Sequence, residues 1–162
     1  LYNAMSDNNH RNPGVLSAAL NNGKFAEIIC DLNHVSEEAI LIAKKCIPDL
    51  YAITDSIAAS GMKDGGYKFA NVEIEKKNNK VYLNGTKTLA GSVVNMHDTF
   101  LNLLKMKISI EDAVRMTSYS ASKFLKNEDI GVIENGKKAN FLILDHEFNI
   151  KSIYLNGKII NG

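Results

Sequence analysis

Short apolar runs and segments of helical periodicity alternate along the amino-terminal part of the chain. Three apolar runs have the length and composition of strands, and a polar loop follows each of them. They are residues 1–5, 25–30 and 50–57. Between them, residues 15–20 and 37–46 place apolar side chains at helical spacing, with Ser36 as the predicted N-cap of the second helix and Pro48 as its stop. This order predicts parallel β/α units.

The pattern changes after Gly61. Apolar and polar positions alternate on both sides of a turn at residues 77–79, which predicts a β-hairpin inserted at residues 67–85. Two amphipathic helices follow, with Ser92 and Ser109 as their predicted N-caps. The tail then carries three short apolar strands separated by turns. They are residues 141–144, 150–155 and 158–160.

Composition and charge narrow the function classes. The 162 residues are 45% hydrophobic, which is enough for one core. The 19 basic and 18 acidic side chains are spread along the chain and give a net charge of +1, so we expect no nucleic-acid and no membrane partner. No apolar run reaches the roughly 18 residues of a spanning helix. Cys30 and Cys46 lie in an apolar strand and near a helix end, where buried reduced thiols are common, and this favours a cytoplasmic protein.

Polar side chains follow the successive predicted strands. Arg11, His34 and Asp55 each lie in such a loop. Because the carboxyl ends of parallel strands meet at one edge, we expect all three to face one ligand. A carboxylate that takes a proton from water and an imidazole that binds the substrate suit hydrolysis, and a guanidinium suits a phosphate or carboxylate. Taken singly, each residue also fits a plainer role, as a turn cap for Asp55 or as a solvated loop side chain for the others.

Other motifs that would define a catalytic class are missing from the sequence. It has no Walker loop, dinucleotide fingerprint, GxSxG elbow or CxxC pair. His10 and His97 have no partner at the spacing of metal ligands, so we assign no metal to them.

Six short motifs, in this order, resemble a single family. They are residues 1–5 (LYNAM), 11–14 (RNPG), 31–35 (DLNHV), 53–55 (ITD), 89–92 (LAGS) and 131–140 (GVIENGKKAN). Each is weak alone, but together they resemble the carboxyl-terminal half of the N-acetylglucosamine-6-phosphate deacetylases of the amidohydrolase superfamily. The substrate is implied by this resemblance and not by periodicity.

The resemblance implies both a reaction and the residues that perform it. The family converts N-acetylglucosamine 6-phosphate to glucosamine 6-phosphate and acetate, and Asp55 matches its catalytic aspartate, which activates water and then protonates the departing amine. The implied substrate-binding residues are Asn3, Ala4, Arg11, Asp31, Leu32, Asn33, His34, Leu89, Ala90 and Gly91. A divalent metal ion, zinc or iron, is implied as cofactor. Its protein ligands match positions upstream of Leu1, so we expect none in this chain.

The resemblance also implies the α/β architecture and its domains. Residues 1–130 match the carboxyl-terminal part of a TIM-like (β/α)8 barrel, and residues 131–162 match strands of a small β-sandwich domain. A complete barrel needs eight strands and about 250 residues, whereas we count roughly three barrel strands here. We therefore expect an upstream half in a longer polypeptide, and a homodimer in which a neighbouring subunit completes the sugar-phosphate site.

Two alternatives stay open. The first is another amidohydrolase, acting on a cyclic amide or a nucleobase. The second is a non-catalytic fragment that lacks the metal ligands and binds a sugar phosphate or only a partner subunit.

Overall fold

The computed structural model describes residues 1–6 and 8–160 and shows an α/β protein. Helices and strands alternate in its first part. The elements are α1 (Gly14–Asn22), β1 (Phe25–Ile29), α2 (Glu37–Cys46) and β2 (Asp49–Ile53). Strands β1 and β2 pair in parallel, with Phe25 opposite Asp49 and Ile29 opposite Ile53. The parallel β/α order predicted from the periodicity is confirmed from α1 to β2.

Helix α2 begins and ends where its sequence favours it. Ser36 has extended backbone, and its hydroxyl accepts a hydrogen bond from the Ala39 N–H, so the predicted N-cap is confirmed. Acidic residues in the first turn and lysines in the last turn interact favourably with the helix dipole and stabilise the helix. Ile40 and Ala43 are fully buried in the main core. The apolar face of the helix thus packs into the main core.

The strand predicted at residues 1–5 is wrong. This segment is a turn in which Tyr2 and Ala4 have φ of 69° and 57°, and the Met5 N–H donates to the Tyr2 carbonyl at 3.1 Å. Left-handed residues at alternate positions are incompatible with a strand. The described residues therefore contain two parallel strands rather than roughly three.

An antiparallel three-stranded sheet follows the parallel pair. Its strands are β3 (Gly65–Phe69), β4 (Val72–Lys77) and β5 (Lys80–Leu83). The predicted hairpin is confirmed, because Asn78 and Asn79 connect β4 to β5 with φ of 50° and 58°, as a tight hairpin turn requires. Ile74 and Val81 are buried against Ala59 in a second, small core. Since Ala59 lies in the segment after β2, the sheet packs on that segment.

Helix α3 (Met96–Lys105) begins at Asn95, so the predicted N-cap Ser92 is wrong. The Asn95 side chain accepts from the Asp98 N–H, and the Asp98 carboxylate accepts from the Asn95 N–H. This reciprocal pair forms a capping box that satisfies two backbone donors at once. The Ser92 hydroxyl instead donates to the carbonyl of Thr54, beyond the end of β2.

The second predicted N-cap is confirmed, because the Ser109 hydroxyl accepts from the Asp112 N–H. The helix that follows contains a wider turn in its middle. It consists of α4 (Ile110–Val114), a π-helical turn (Arg115–Tyr119) and α5 (Ser120–Phe124). Ala113 and Met116 are buried against the parallel strands and α3.

The tail forms an antiparallel sheet with the predicted bounds. Its strands are β6 (Phe141–Leu144), β7 (Ile150–Leu155) and β8 (Lys158–Ile160). The loop before β7 fastens this sheet to α3, since the Phe148 ring meets Phe100 edge-on at a centroid distance of 5.9 Å. The His97 Nε2 also lies 2.7 Å from the Phe148 carbonyl oxygen.

The main core lies between the parallel strands and helices α2, α3 and α4. Its largest fully buried side chains are aliphatic: Ile28, Ile40, Ile47 and Leu103. Cys30 is buried as predicted, whereas Cys46 is exposed, which the sequence did not indicate.

Among residues 1–6 and 8–160, no helix has both the length and the apolar character that crossing a lipid bilayer requires.

Candidate active site

The parallel register aligns two polar loops at one edge of the sheet. Ile29 and Ile53 are partners at the carboxyl ends of β1 and β2, and Asp31 and Asp55 each follow two residues later. Neighbouring strands are about 4.8 Å apart, so both loops leave the sheet side by side. The common edge that the sequence predicts for His34 and Asp55 is confirmed.

The first loop folds around the Asp31 carboxylate. One of its oxygens accepts hydrogen bonds from the Asn33 N–H (2.9 Å) and the His34 N–H (3.0 Å). The other lies 2.7 Å from the His34 Nδ1, and both side chains are only 6% exposed. Desolvation is the largest influence on this carboxyl group and acts to raise its pKa, but the backbone and imidazole hydrogen bonds together outweigh it and hold the pKa of Asp31 below its ordinary value.

This pairing sets the tautomer of His34. An ionised carboxylate only accepts hydrogen bonds, so the proton between the two groups is on Nδ1. Nε2 makes no hydrogen bond to any described residue and is left for a ligand. Asp31 thus orients an imidazole whose second nitrogen can accept from a substrate hydroxyl.

Asp55 presents its carboxylate differently. Strand β2 ends at Ile53, and Asp55 lies two residues beyond it with φ of 49° and an exposed side chain. Its carboxylate oxygens form no hydrogen bond or ion pair within residues 1–6 and 8–160. A free, solvent-facing carboxylate at this edge can take a proton from a water molecule.

The turn at residues 89–91 lies against the Asp55 segment. Ser92, which directly follows it, forms a parallel bridge with Ser56, and the Ser92 N–H donates to the Asp55 carbonyl at 2.9 Å. On its other side the turn pairs with β5 in an antiparallel bridge between Leu89 and Tyr82, and the Ala90 N–H donates to the Val81 carbonyl at 3.0 Å. The turn formed by Leu89, Ala90 and Gly91 therefore lies beside the Asp55 segment, and its role in lining a substrate pocket stays a prediction.

Gly91 is held closely in this arrangement. Its φ is 75°, and a Cβ atom at this position would lie 2.6 Å from Cγ2 of Ile57 and 3.4 Å from the Asp55 carbonyl oxygen. Only glycine meets both conditions without a rearrangement of the Asp55 segment.

The remaining predicted site residues are not joined to these loops. Asn3, Ala4 and Arg11 are exposed, and the Arg11 backbone N–H donates to the Asn9 side chain at 2.9 Å. Within the part of the chain that the structure describes, the Arg11 guanidinium forms no ion pair and no hydrogen bond connects it to His34 or Asp55. The predicted juxtaposition of Arg11 with the other two is therefore not shown as a direct contact, and its guanidinium stays available for an anion.

Left-handed backbone recurs at the predicted site, which the sequence did not indicate. Ala4, Leu32 and Asp55 have φ of 57°, 61° and 49°, and Gly91 is also positive. Such conformations cost a non-glycine residue on the order of 1 kcal/mol and tend to occur where function holds the backbone. Asp and Gly carry a weak sequence signal for this geometry, but Ala and Leu carry none.

The described residues do not by themselves form a metal site. No group of three His, Cys, Asp or Glu side chains in residues 1–6 and 8–160 is arranged to hold an ion. Asp31 and His34 are engaged with each other, and Asp55 stands alone. That the protein ligands of a metal ion lie upstream of Leu1 stays a prediction.

Comparisons with known proteins match nearly the whole chain. The model of the amidohydrolase family matches residues 13–160. N-acetylglucosamine-6-phosphate deacetylase of Vibrio furnissii is 31% identical over 163 residues, which are 98% of this chain and 41% of that protein. The putative N-acetylgalactosamine-6-phosphate deacetylase of Escherichia coli K12 is 27% identical, over 98% of this chain and 96% of that protein.

The solved structure of a relative has the same fold as this chain. The crystal structure of N-acetylglucosamine-6-phosphate deacetylase from Pasteurella multocida superposes with a TM-score of 0.93 at 30% identity, over 100% of this chain and 44% of that chain. The chain thus spans well under half the length of the first of these relatives. Since the family model covers most of its residues, the chain belongs to the amidohydrolase family.

Proposed function

We propose that this chain forms the carboxyl-terminal part of an enzyme that hydrolyses N-acetylglucosamine 6-phosphate to glucosamine 6-phosphate and acetate. The observation that carries the proposal is the shared sheet edge, since the loops that carry the exposed Asp55 carboxylate and the preoriented His34 imidazole leave the sheet at the same end. The names of the relatives supply the substrate class. The chain's own residues supply the groups that such a reaction needs.

Asp55 acts as the base and then as the acid. Its carboxylate takes a proton from the water that attacks the amide carbonyl, and it gives that proton to the nitrogen as the C–N bond breaks. Acetate and a free amine leave. Meanwhile, Nε2 of His34 holds a polar group of the substrate, and the turn at residues 89–91 lines the pocket beside the aspartate.

Arg11 binds the phosphate in this proposal. Its guanidinium is exposed and unpaired within the described residues, and its fork of donors suits two phosphate oxygens. In the part of the chain that the structure describes, no hydrogen bond or ion pair ties the Arg11 guanidinium to His34 or Asp55. In a homodimer, Arg11 would bind the phosphate in the partner's pocket.

Amidohydrolases generally depend on a metal, and we propose zinc or iron bound by residues outside this chain. The ion would supply Lewis-acid activation of water or of the amide. Residues 1–130 would form part of a (β/α)8 barrel, completed by chain that these residues do not include. Residues 131–162 would form part of a β-sandwich, and their exposed apolar side chains support a covering layer: Leu142, Ile143, Leu155 and Ile159.

Cysteine usage supports a cytoplasmic location for this enzyme. Cys30 and Cys46 are both free thiols, and one of them is exposed, as suits a reducing compartment.

Acetate release from the complete polypeptide tests the proposal. We expect the wild type to deacetylate N-acetylglucosamine 6-phosphate, and Asp55→Asn to lower kcat by at least a hundredfold while metal content is unchanged. Asp129→Asn is the matched control, because Asp129 is an exposed carboxylate near the tail. Near-normal turnover by Asp55→Asn would remove this residue from the mechanism.

A second substrate follows from the Escherichia coli relative, which is named for the galactosamine compound and matches this chain over almost its full length. The two sugars differ only in the configuration of one hydroxyl. Comparing kcat/KM for the two 6-phosphates, with a cyclic amide as a third substrate, decides between them. Hydrolysis of the cyclic amide alone would favour the other amidohydrolase class, and binding without any turnover would favour a non-catalytic role.

A further inference from the structure

Ser92 forms hydrogen bonds to the backbone on both sides of Asp55. Its hydroxyl donates to the Thr54 carbonyl, and its N–H donates to the Asp55 carbonyl at 2.9 Å. The Ser92 carbonyl accepts from the Ile57 N–H at 3.1 Å. Ser92 is only 2% exposed, so it takes no part in solvent contacts. The carbonyl groups of Thr54 and Asp55 and the N–H of Ile57 are therefore all bonded to one residue from a distant part of the chain.

Asp55 needs support from neighbouring residues, because its own side chain contributes none. Its carboxylate forms no hydrogen bond in the described part of the chain, and its φ of 49° is a conformation that side chains other than glycine seldom adopt. The backbone then fixes the direction of the Cα–Cβ bond and thereby the space that the carboxylate can reach. Loss of the Ser92 contacts would let that backbone relax towards an ordinary conformation and turn the carboxylate away.

A second serine strengthens the bridge from the exposed side. The Ser56 hydroxyl donates to the Val94 carbonyl and lies 3.5 Å from the Ser92 hydroxyl. The Val94 N–H in turn donates to the Ser92 hydroxyl at 3.3 Å. The two segments are thus joined by side-chain bonds in addition to the parallel backbone bridge.

We propose that Ser92 is a positioning residue that holds Asp55 in its catalytic orientation and couples it to the substrate-lining turn at residues 89–91. This inference rests on the proposed function. Ser92 makes no substrate contact in it; its effect passes through Asp55. The turn immediately precedes Ser92 in the chain. A substrate that contacts Gly91 would therefore also affect the orientation of Asp55, through the bonds that Ser92 makes to it.

Steady-state kinetics of Ser92→Ala in the complete polypeptide tests this role. We expect kcat for N-acetylglucosamine 6-phosphate to fall at least tenfold with KM within about twofold, because a misplaced catalytic group slows chemistry without weakening binding. Ser92→Thr, which keeps the hydroxyl, should recover most of the rate. Two serine controls should keep a wild-type kcat: Ser60→Ala loses a hydroxyl bonded to the Val93 carbonyl at 3.0 Å, and Ser122→Ala loses a buried hydroxyl in α5.

Equilibrium binding separates positioning from a substrate contact. In the Asp55→Asn background, calorimetry with N-acetylglucosamine 6-phosphate should give the same dissociation constant with and without Ser92→Ala, within about twofold. A tenfold weaker binding would overturn the proposal and make Ser92 part of the substrate site. An unimpaired kcat in Ser92→Ala would overturn it as well.

Two further outcomes, an unfolded Ser92→Ala variant and an inactive wild type, are also informative. If Ser92→Ala loses its cooperative melt, Ser56→Ala tests the same bridge from its exposed side, and an unchanged kcat there contradicts the proposal. If the wild type releases no acetate, the proposed function fails and this inference fails with it. An active wild type with an unimpaired Ser92→Ala refutes the inference alone.

Discussion

Asp31 and Asp55 occupy equivalent places two residues beyond the paired strand ends, yet their carboxylates have opposite surroundings. Asp31 is 6% exposed and accepts from two backbone N–H groups and an imidazole, whereas Asp55 is exposed and unbonded among the described residues. The first is suited to orienting His34 and the second to exchanging protons with water. One sheet edge thus carries a buried, hydrogen-bonded carboxylate and an exposed one that forms no bond to the described residues.

Replacing Asp31 should make stability less dependent on pH. Its pKa is held below the ordinary value in the folded chain, so the charged group stabilises the fold above the unfolded-state pKa of about 3.9 and loses this effect as pH falls through the lower, folded value. We expect Asp31→Asn to lower the free energy of unfolding by roughly 1–2 kcal/mol at pH 7. The difference from wild type should shrink as pH drops below about 4.

Urea unfolding at a series of pH values measures this difference. Asp129→Asn serves as control, since Asp129 has a 65% exposed side chain and only a loose contact with Lys138 at 3.8 Å. A deficit in Asp31→Asn that stays constant down to pH 3 would contradict the assigned role of the charge.

Arg11 should discriminate between phosphorylated and unphosphorylated sugars. We expect Arg11→Ala to raise KM for N-acetylglucosamine 6-phosphate by roughly tenfold or more, because a paired, charge-assisted contact is lost. KM for N-acetylglucosamine itself should hardly change. Arg11→Lys should recover only part of the effect, since a lysine cannot reproduce the fork. Equal losses on both sugars would refute the phosphate role.

The two thiols should differ in reactivity. Burial raises the pKa of Cys30 to about 12, with the neighbouring Asp31 charge adding to the effect, whereas Cys46 is exposed. The thiolate is the reactive form, so iodoacetamide at pH 8 should label Cys46 and leave Cys30 unmodified. Peptide mapping of the labelled protein measures both, and unfolding in urea before labelling should expose Cys30. Labelling of Cys30 at the rate of Cys46 in the native protein would contradict its burial.

Patterns of burial were predictable from the sequence, whereas local hydrogen bonding was not. Alternation and helical periodicity identified β1, β2, the hairpin and the tail strands, because each has a buried face of fixed period. Ser92 was mistaken for a helix cap, although Asn95 followed by Asp98 three residues later carries the better capping-box signal. Its real partners are distant in sequence, so no local pattern reveals them.

The site was predictable to a similar extent. Parallel topology placed His34 and Asp55 at one edge, since that follows from strand order alone. The hydrogen bond between His34 and Asp31 and the left-handed backbone at Leu32 depend on the loop conformation, which the residue types do not determine. The turn at residues 1–5 was missed because an apolar run fits either a strand or a packed turn.

Two glycines with the same backbone conformation should respond differently to alanine. Gly85 and Gly91 have φ of 73° and 75°, but a Cβ at Gly85 meets nothing within 4 Å, whereas one at Gly91 meets Cγ2 of Ile57 at 2.6 Å. Both substitutions carry the left-handed penalty of about 1–2 kcal/mol. Gly91→Ala should cost roughly 1–3 kcal/mol more, because the β-branched Ile57 is stiff at χ1 and cannot simply rotate away.

The catalytic activities of Gly85→Ala and Gly91→Ala should differ even more clearly than their stabilities. The overlap at Gly91 pushes on Ile57 and on the Asp55 carbonyl, so kcat should fall in Gly91→Ala while Gly85→Ala keeps a wild-type kcat despite its lower melting temperature. Chemical denaturation and acetate release on both variants give the two quantities. Equal losses of stability in the two variants would mean that the segment carrying Asp55 moves easily to make room for a methyl group. The close contact between Gly91 and this segment would then not be needed for activity.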